Sequence, residues 1–307
     1  MNTIFKKFYR FFYWKTGGYI PSMPLNQKIY PGDFFQIRNG EMVVLGNIFK
    51  GSLVNADDAD LTYNLKLNPM NWVFSDGVTK PYSGRGNEHN IIDGDFEFAK
   101  QILAFDKAGS FLFKGEHPES VKLSNWSFIE QELIIKLTQT YYSFREVYVV
   151  TESTTTSNWA LAIAEREKAE LELAVQNNNY ELLDLFGHQD TKTISSRDIA
   201  YHHRENKRIP SFFRAKKLVV QVDKIQNFIN NMTQEYGNKD DWAHSFFEAR
   251  YESSGVMPSI GFPNVGTSIL DMLPANALNP NTALNYFKWD DANMDDIEKL
   301  FLGYSED

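Results

Sequence analysis

The chain has 307 residues, of which 42% are hydrophobic and 15% aromatic, and its formal net charge is −9. This length and composition can bury a substantial core, which excludes a disordered protein. The absence of cysteine excludes disulfides, thiolate catalysis and cysteine metal sites. No window approaches about 18 consecutive apolar residues, so we expect no constitutive transmembrane helix. The basic, aromatic start lacks a small-residue cleavage site, so we expect no secretory signal.

Charge differs between the two ends of the chain. Residues 238–307 contain twelve acidic and four basic residues, so this segment carries −8 and residues 1–237 carry only −1. The N-terminal end has no acid before Asp33 and begins with four cations, Lys6, Lys7, Arg10 and Lys15. We therefore divide the chain into a body, residues 1–237, and an acidic, proline-containing segment, residues 238–307, that we expect to cover the basic end and inhibit it.

The first predicted element is a helix over residues 3–15. Its apolar stripe follows helical spacing, and its cations lie off the stripe; the stripe is Ile4, Phe5, Phe8, Phe11 and Phe12. A basic helix with an aromatic face is typical of a helix that lies in a membrane interface. The same stripe can instead pack on the core of the body, and both arrangements can hold in different states.

The next segments predict strands. In "DFFQIRNGEMVVLG", Asn39-Gly40 between two apolar runs predicts a hairpin with a two-residue turn. Strand-like pieces follow at 61–67 and 72–74, and turn chemistry predicts a loop for "PYSGRGNEHN", residues 81–90. Residues 91–114 predict two or three strands in which four phenylalanines alternate with other residues, namely Phe96, Phe98, Phe111 and Phe113.

A helix over about 125–143 is predicted next, with Phe128, Leu133, Leu137 and Tyr141 on one side. It leads into a ribbon of three strands, residues 146–175. In the middle strand Trp159, Leu161 and Ile163 alternate with Ala160, Ala162 and Ala164. In the last strand Ala169, Leu171, Leu173 and Val175 alternate with Glu170 and Glu172. Strict alternation predicts one buried and one solvated face for each strand.

The rest of the chain predicts a short helix closed by Gly187, a polar strand pair containing His202 and His203, an apolar strand over 209–222 and a helix over 222–236. A short acidic helix lies within "DDANMDDIEKLFLGY", residues 290–304. The elements together predict an α+β fold: a central twisted, mainly antiparallel sheet with flanking helices and an irregular acidic C-terminal appendage.

Signals for an enzyme are weak. The sequence has no nucleophile elbow, Walker A loop, paired-histidine zinc motif or calcium-binding loop, so we expect no catalytic site, cofactor or metal site. His202 and His203 should face opposite sides of a strand, and only a deep pocket at Glu88 or His89 would favour an enzyme. The basic stretch 202–217 superficially resembles a nucleic-acid platform, but its Phe212 and Phe213 are needed in the core, so no nucleic-acid partner is expected.

The order of these elements resembles the pore-forming domain of gasdermins over about residues 1–222. The resemblance is carried by the basic helix leading into "GGYIPSMPLN", the hairpin "YPGDFFQIRNG", strands ending in "GSFLFKG", and then "EVYVVTESTTTSNW", "KAELELA" and "RIPSFFRAKKLVV". Two features depart from the family. The chain has no cysteine to carry the lipid found on bacterial members, and its tail of about 70 residues is longer than their short inhibitory peptide and far shorter than the animal repressor domain.

The resemblance implies a monomer that is soluble when inhibited and that, once released, oligomerises so that two hairpins per subunit join a membrane barrel. By position these hairpins lie near Ile91–Lys114 and Lys168–Arg204, and the membrane-inserting candidates are Phe96, Phe98, Phe111, Phe113, Leu171, Leu173 and Val175. The implied membrane-binding residues are Lys6, Lys7, Phe8, Arg10 and Phe12, to which basic composition adds Arg214, Lys216 and Lys217.

We therefore predict a latent pore-forming protein that is released when its acidic segment is cleaved or displaced, as in proteins of cell death and defence. Its partners would be anionic lipid, further copies of itself and an activating protease, and it would move from cytoplasm to membrane. The alternative is a soluble, non-enzymatic structural or interaction protein, a subunit of a larger assembly whose aromatic helix and tail dock on neighbours.

Overall fold

The computed structural model describes residues 3–90, 94–138, 147–176, 184–221, 284 and 287–301. The helices are α1 (Thr3–Thr16), α2 (Trp126–Thr138) and α3 (Met294–Lys299), with a 3₁₀ turn at Ala56–Asp58. The strands are β1 (Ile20–Pro21), β2 (Asp33–Arg38), β3 (Glu41–Asn47), β4 (Leu61–Lys66), β5 (Asn71–Asp76), β6 (Val78–Asn90), β7 (Gly94–Phe105), β8 (Phe111–Glu116), β9 (Glu119–Leu123), β10 (Tyr148–Thr155), β11 (Asn158–Ala164), β12 (Ala169–Gln176), β13 (Lys192–Arg197), β14 (Ile199–Glu205), β15 (Phe212–Val220) and β16 (Phe287–Asp291).

A central eight-stranded sheet combines seven strands of the body with β16 of the C-terminal segment. Its main path is β1-β15-β10-β2-β3, and β16 joins the edge of β15 while β9 joins β10 and β4. The pairings described for this sheet are antiparallel. The predicted α+β fold with a mainly antiparallel sheet is confirmed. Within the described parts of the chain, no helix combines the length and the apolar character needed to cross a bilayer.

Two four-stranded sheets continue from one another. Their strand orders are β14-β11-β8-β5 and β13-β12-β7-β6. Strands at the same place in the two orders are consecutive in the chain: β13 and β14, β11 and β12, β7 and β8, and β5 and β6. The strands β5–β6 and β7–β8 form a long hairpin, named hairpin 1, and β11–β12 with β13–β14 form hairpin 2. Hairpin 1 and hairpin 2 pair through β7–β8 and β11–β12.

All four long strands are interrupted at the same level, which we name the bend line. One residue with positive φ lies there on each strand: Gly77 (64°), Gly109 (73°), Lys168 (58°) and Asp198 (54°). Backbone hydrogen bonds join the interruptions, for example from the Glu165 N–H to the Asp198 carbonyl at 2.8 Å. A Cβ on Gly77 would lie 2.3 Å from Ser110 Oγ, so this position requires glycine.

Several local predictions are confirmed. Helix α1 runs as expected and ends at Gly17 and Gly18, where the Gly18 N–H bonds the Tyr13 carbonyl. Asn39 and Gly40 both have positive φ in the β2–β3 hairpin, as a two-residue turn requires. On β12 the residues Ala169, Leu171, Leu173 and Val175 are buried, as predicted. The short acidic helix is α3.

The predicted loop at 81–90 is wrong. These residues belong to β6, which pairs with β7 as far as Asn90 opposite Gly94. Strand β6 lies at an edge, and its register shifts between Thr79 and Tyr82, so Pro81 is tolerated. The strands predicted within 91–114 are β7 and β8. They do not form a hairpin with each other, as the implied hairpin near Ile91–Lys114 would require, because β7 pairs with β6 and β8 pairs with β5.

The prediction that β11 has one solvated face is also wrong. Trp159, Leu161 and Ile163 belong to the core beneath α1. Ala160, Ala162 and Ala164 belong to a second core with Leu112, Leu171, Leu185 and Phe186. The alternation on β11 therefore separates large from small buried residues and not buried from solvated ones.

Other predictions are corrected in part. On α2, Leu133 and Leu137 are buried, but Phe128 is 71% exposed and does not share their face. Residues 184–187 are not helical, although Gly187 has a positive φ. The remainder of the predicted helices at 125–143, 180–187 and 222–236 lies outside the described residues. The C-terminal segment is not wholly irregular, because it supplies β16 and α3.

Candidate functional site: a cationic face and its C-terminal strap

The C-terminal residues 287–301, here named the strap, lie against α1 and β15. Strand β16 adds to the edge of β15 through five residue pairs, from Lys216 opposite Asp291 to Val220 opposite Phe287. The strap then turns into α3, whose start is fixed by the Asn293 side chain accepting from the Asp295 N–H at 2.9 Å. Ile297, Leu300 and Phe301 bury their side chains in the same core as the aromatic face of α1.

Glu298 of the strap binds the cations of α1. Its carboxylate forms ion pairs with Lys6 and with Arg10, the latter at 3.3 Å. Beside these pairs the rings of Phe301 and Tyr9 meet edge to face, with centroids 5.3 Å apart. The strap thus contacts α1 through both charge and apolar surface, so moving α1 requires breaking both kinds of contact.

Asp296 is the most deeply enclosed carboxylate of the strap, with 2% of the residue exposed. It accepts from Lys217 Nζ at 2.8 Å, from the Tyr148 hydroxyl at 2.9 Å and from the Asn293 N–H at 2.7 Å. Burial alone would raise the pKa of Asp296, but the hydrogen bonds from Lys217 and Asn293 outweigh it and lower that pKa. The carboxylate is therefore charged, and it is bound by Lys217 and Tyr148 of the body and by the Asn293 N–H of the strap.

The cations predicted to bind membrane divide into two groups. Lys6 and Arg10 pair with Glu298, Lys216 pairs with Asp291 at 2.8 Å, and Lys217 pairs with Asp296. The other two are engaged within the body. Lys7 pairs with Asp76, and Arg214 lies over the Tyr19 ring at 4.3 Å and donates to the Gly17 carbonyl at 2.8 Å. The structure thus pairs four of the six predicted cations with strap carboxylates, and we name these four, Lys6, Arg10, Lys216 and Lys217, the cationic face.

The aromatic candidates on α1 are not at the surface. Phe8 and Phe12 are 0% exposed. Phe8 contacts Phe111 and Phe113 of β8, and Phe12 stacks on Phe212 of β15 with centroids 4.8 Å apart. The arrangement with the stripe packed on the core describes this structure, so these rings could reach lipid only after α1 moves away.

The hairpin candidates are buried or outside the described side chains. Phe111 and Phe113 lie beneath α1, and Leu171, Leu173 and Val175 pack with Leu103 and Phe105 of the neighbouring β7. The side chains of Phe96 and Phe98, on β7, lie outside the described residues. At the edge of hairpin 2, every residue of β13 is exposed.

Sequence reasoning missed two residues of the contact between the strap and the cationic face. Tyr148 gave no signal, because its contact with Asp296 joins residues 148 positions apart. Asp296 had a local signal, since an acid three residues after Asn293 forms a capping box.

The two histidines do lie on opposite faces of β14, where His203 contacts Trp159 and His202 stacks on Phe186.

No protein-family model and no curated protein match the chain. Among solved structures it is similar to the gasdermin A3 membrane pore, with 12% identity and a TM-score of 0.32 over 71% of this chain and 90% of that one. It is also similar to a bacterial gasdermin from Bradyrhizobium tropiciagri, with 11% identity and a TM-score of 0.23 over 64% and 80% of the two chains. Both are gasdermins, the family whose pore-forming domain the order of elements in this sequence resembles.

Proposed function

We propose that this chain is a latent membrane-permeabilising protein of gasdermin type whose strap keeps its cationic face from anionic lipid. The observation that carries the proposal is the pairing of Glu298, Asp291 and Asp296 with four cations of α1 and β15. Carboxylates and lipid phosphates are alternative ligands for the same Lys and Arg groups. The strap therefore competes directly with a membrane surface.

Release of the strap would change two properties of α1 together. The freed cations would each gain about 1 kcal/mol near an anionic leaflet. The aromatic stripe would be able to enter the interface, as amphipathic basic helices do, once α1 leaves the core. Cleavage by a protease between body and strap, or displacement of the strap by a ligand, would start this change, and the protein would then pass from the cytoplasm to the membrane.

The two hairpins would supply the membrane-crossing strands. Strands β6 and β7 have 13 and 12 residues, and a barrel strand needs about 9–11. On β12 the apolar Leu171 and Leu173 alternate with Glu170 and Glu172, which suits lipid on one side and water on the other. In a bilayer the open edges of hairpin 1 and hairpin 2 must be paired, so the partner would be further copies of the same chain.

Neutralising strap carboxylates tests the proposal in the full chain. Asp291→Asn with Glu298→Gln removes the partners of Lys6, Arg10 and Lys216 and leaves the Asp296 cluster intact. We expect this variant to bind phosphatidylserine vesicles at least about tenfold more tightly than the unchanged chain in a sedimentation assay, because each freed cation contributes about 1 kcal/mol. Raising the salt concentration should reduce the gain.

The matched control is Asp290→Asn with Asp295→Asn, which changes the net charge equally. Asp290 pairs with Lys288 inside the strap, and Asp295 is exposed, so neither neutralisation frees a cation of the body. An equal gain in both variants would show that net charge alone governs binding, and the competition between strap and lipid would then be rejected.

A further inference from the structure

Helix α1 has the strap on one side and both hairpins on the other. The strap contacts it through Glu298 and Phe301. Other contacts of α1, made by residues between Ile4 and Phe11, reach the bend line, where the strands of the two four-stranded sheets change direction. A single rigid helix therefore lies between the strap and the bend, which are otherwise separate features of the fold.

On hairpin 1 the contact is polar and aromatic. Lys7 forms an ion pair with Asp76, the last residue of β5 and the neighbour of Gly77 on the bend line. Phe8 and Phe11 both meet the ring of Phe111, with centroids 5.4 and 5.3 Å away, at the first residue of β8. A Cβ on Gly109, also on the bend line, would lie 3.6 Å from the Ile4 carbonyl oxygen. The start of α1 therefore rests directly on the bend of hairpin 1.

On hairpin 2 the contact is aromatic. The ring of Phe5 meets the ring of Tyr201 edge-on, with centroids 5.1 Å apart. Tyr201 lies on β14, three residues after Asp198 on the bend line, and pairs with Ile163 of β11. Both hairpins thus touch α1 close to the residues whose positive φ produces the bend.

We propose that α1 couples the strap to the bend line, so that strap binding and the bent form of the hairpins stabilise each other. In the closed state α1 holds Glu298 and Phe301 on one side and Asp76, Phe111 and Tyr201 on the other. When α1 moves, both sets of contacts are lost together. The coupling is a property of the folded chain in solution, and it rests on the proposed function only for its use in controlling permeabilisation.

Reciprocity is the consequence that makes this testable. If the bent hairpins favour the bound strap, the bound strap must favour the bent hairpins by the same free energy. Residues that do not touch the strap should then change its opening, and strap residues should change the exposure of strands they do not touch. Two variants probe the hairpin side, Asp76→Asn on hairpin 1 and Tyr201→Ala on hairpin 2, and Glu298→Gln probes the strap side.

Hydrogen exchange of the full, uncleaved chain measures both directions without a membrane. We expect exchange in 287–301 to accelerate about two- to fivefold in Asp76→Asn, the range for a partly exposed ion pair, and about three- to tenfold in Tyr201→Ala, the range for an aromatic pair. Glu298→Gln should accelerate exchange in β5 and β14 by a factor comparable to that of Asp76→Asn. The controls Asp190→Asn and Tyr82→Ala lie on the hairpins at exposed positions and should leave the strap unchanged.

Strand β10, in the centre of the main sheet, reports global unfolding. Unchanged strap exchange in both hairpin variants would overturn the coupling, and so would an acceleration that is equal in the strap and in β10. Because no vesicle is present, the coupling can fail while vesicle binding of the strap variants succeeds, and the reverse. The two proposals are therefore rejected by different results.

Discussion

Replacing Asp296 with alanine is expected to lower the free energy of unfolding by about 3–5 kcal/mol, the cost of breaking a buried ion pair by removing one partner. Lys217, whose side chain is 13% exposed, would keep its charge without the carboxylate that binds it. The Tyr148 hydroxyl and the Asn293 N–H would lose the same acceptor. Urea denaturation of the full chain measures the effect.

The control for this prediction replaces both charges. Asp296→Leu combined with Lys217→Met removes the pair and fills the space with apolar side chains, which is often neutral for buried pairs. We expect most of the lost stability to return in this variant. A cost below about 1 kcal/mol for Asp296→Ala alone would contradict the view that the strap is fixed by a buried charge cluster.

A charge on the alanine face of β11 is expected to be equally damaging. Ala162 is 0% exposed and belongs to the core that includes Leu112, Leu171 and Phe186. Ala162→Glu should destabilise the chain by about 3 kcal/mol or more in urea denaturation, because the carboxylate has no partner there.

The matched control places the same charge on an exposed strand. Ser195→Glu on β13, which places a carboxylate opposite Glu172, should cost no more than about 1 kcal/mol. If Ala162→Glu were as mild as this control, β11 would have the solvated face that its alternation predicts, and the second core would not exist.

Local features of the fold were accessible to sequence reasoning. The Asn39-Gly40 turn and the end of α1 at two glycines follow from backbone preferences that the residues themselves impose. The alternation on β12 gave the correct buried face because the opposing residues are charged. In these cases the signal lies within one element.

The predictions fail where contacts with distant residues determine strand pairing or burial. Residues 81–90 contain the glycines, asparagines and proline of a loop, but pairing with β7 along an edge makes them a strand. The alanines of β11 cannot show by type whether they face water or a second layer of side chains. Phe128 lies five residues before Leu133, which places it outside the buried stripe of α2, and it remains exposed. Burial in each case depends on a surface contributed by a distant part of the chain.

The sequence predicts which charges the candidate site contains but not which residues form its ion pairs. Sequence reasoning placed cations on α1 and β15 and an excess of acid at the C-terminus, which is the electrostatic basis of the contact. It did not assign Glu298 to Lys6 and Arg10, or Asp296 to Lys217, since those pairs depend on β16 adding to β15 in one register. It also left Phe8 and Phe12 open to either membrane or core.

Dye release from anionic liposomes tests the latent pore most directly. A protease site placed within residues 238–283 allows the full chain to be assayed before and after a cut, at low and high salt. The account predicts no release before the cut, release after it, and weaker release at high salt, because the freed cations act through screened charges. A cut chain that stays folded and releases no dye at either salt concentration would contradict it.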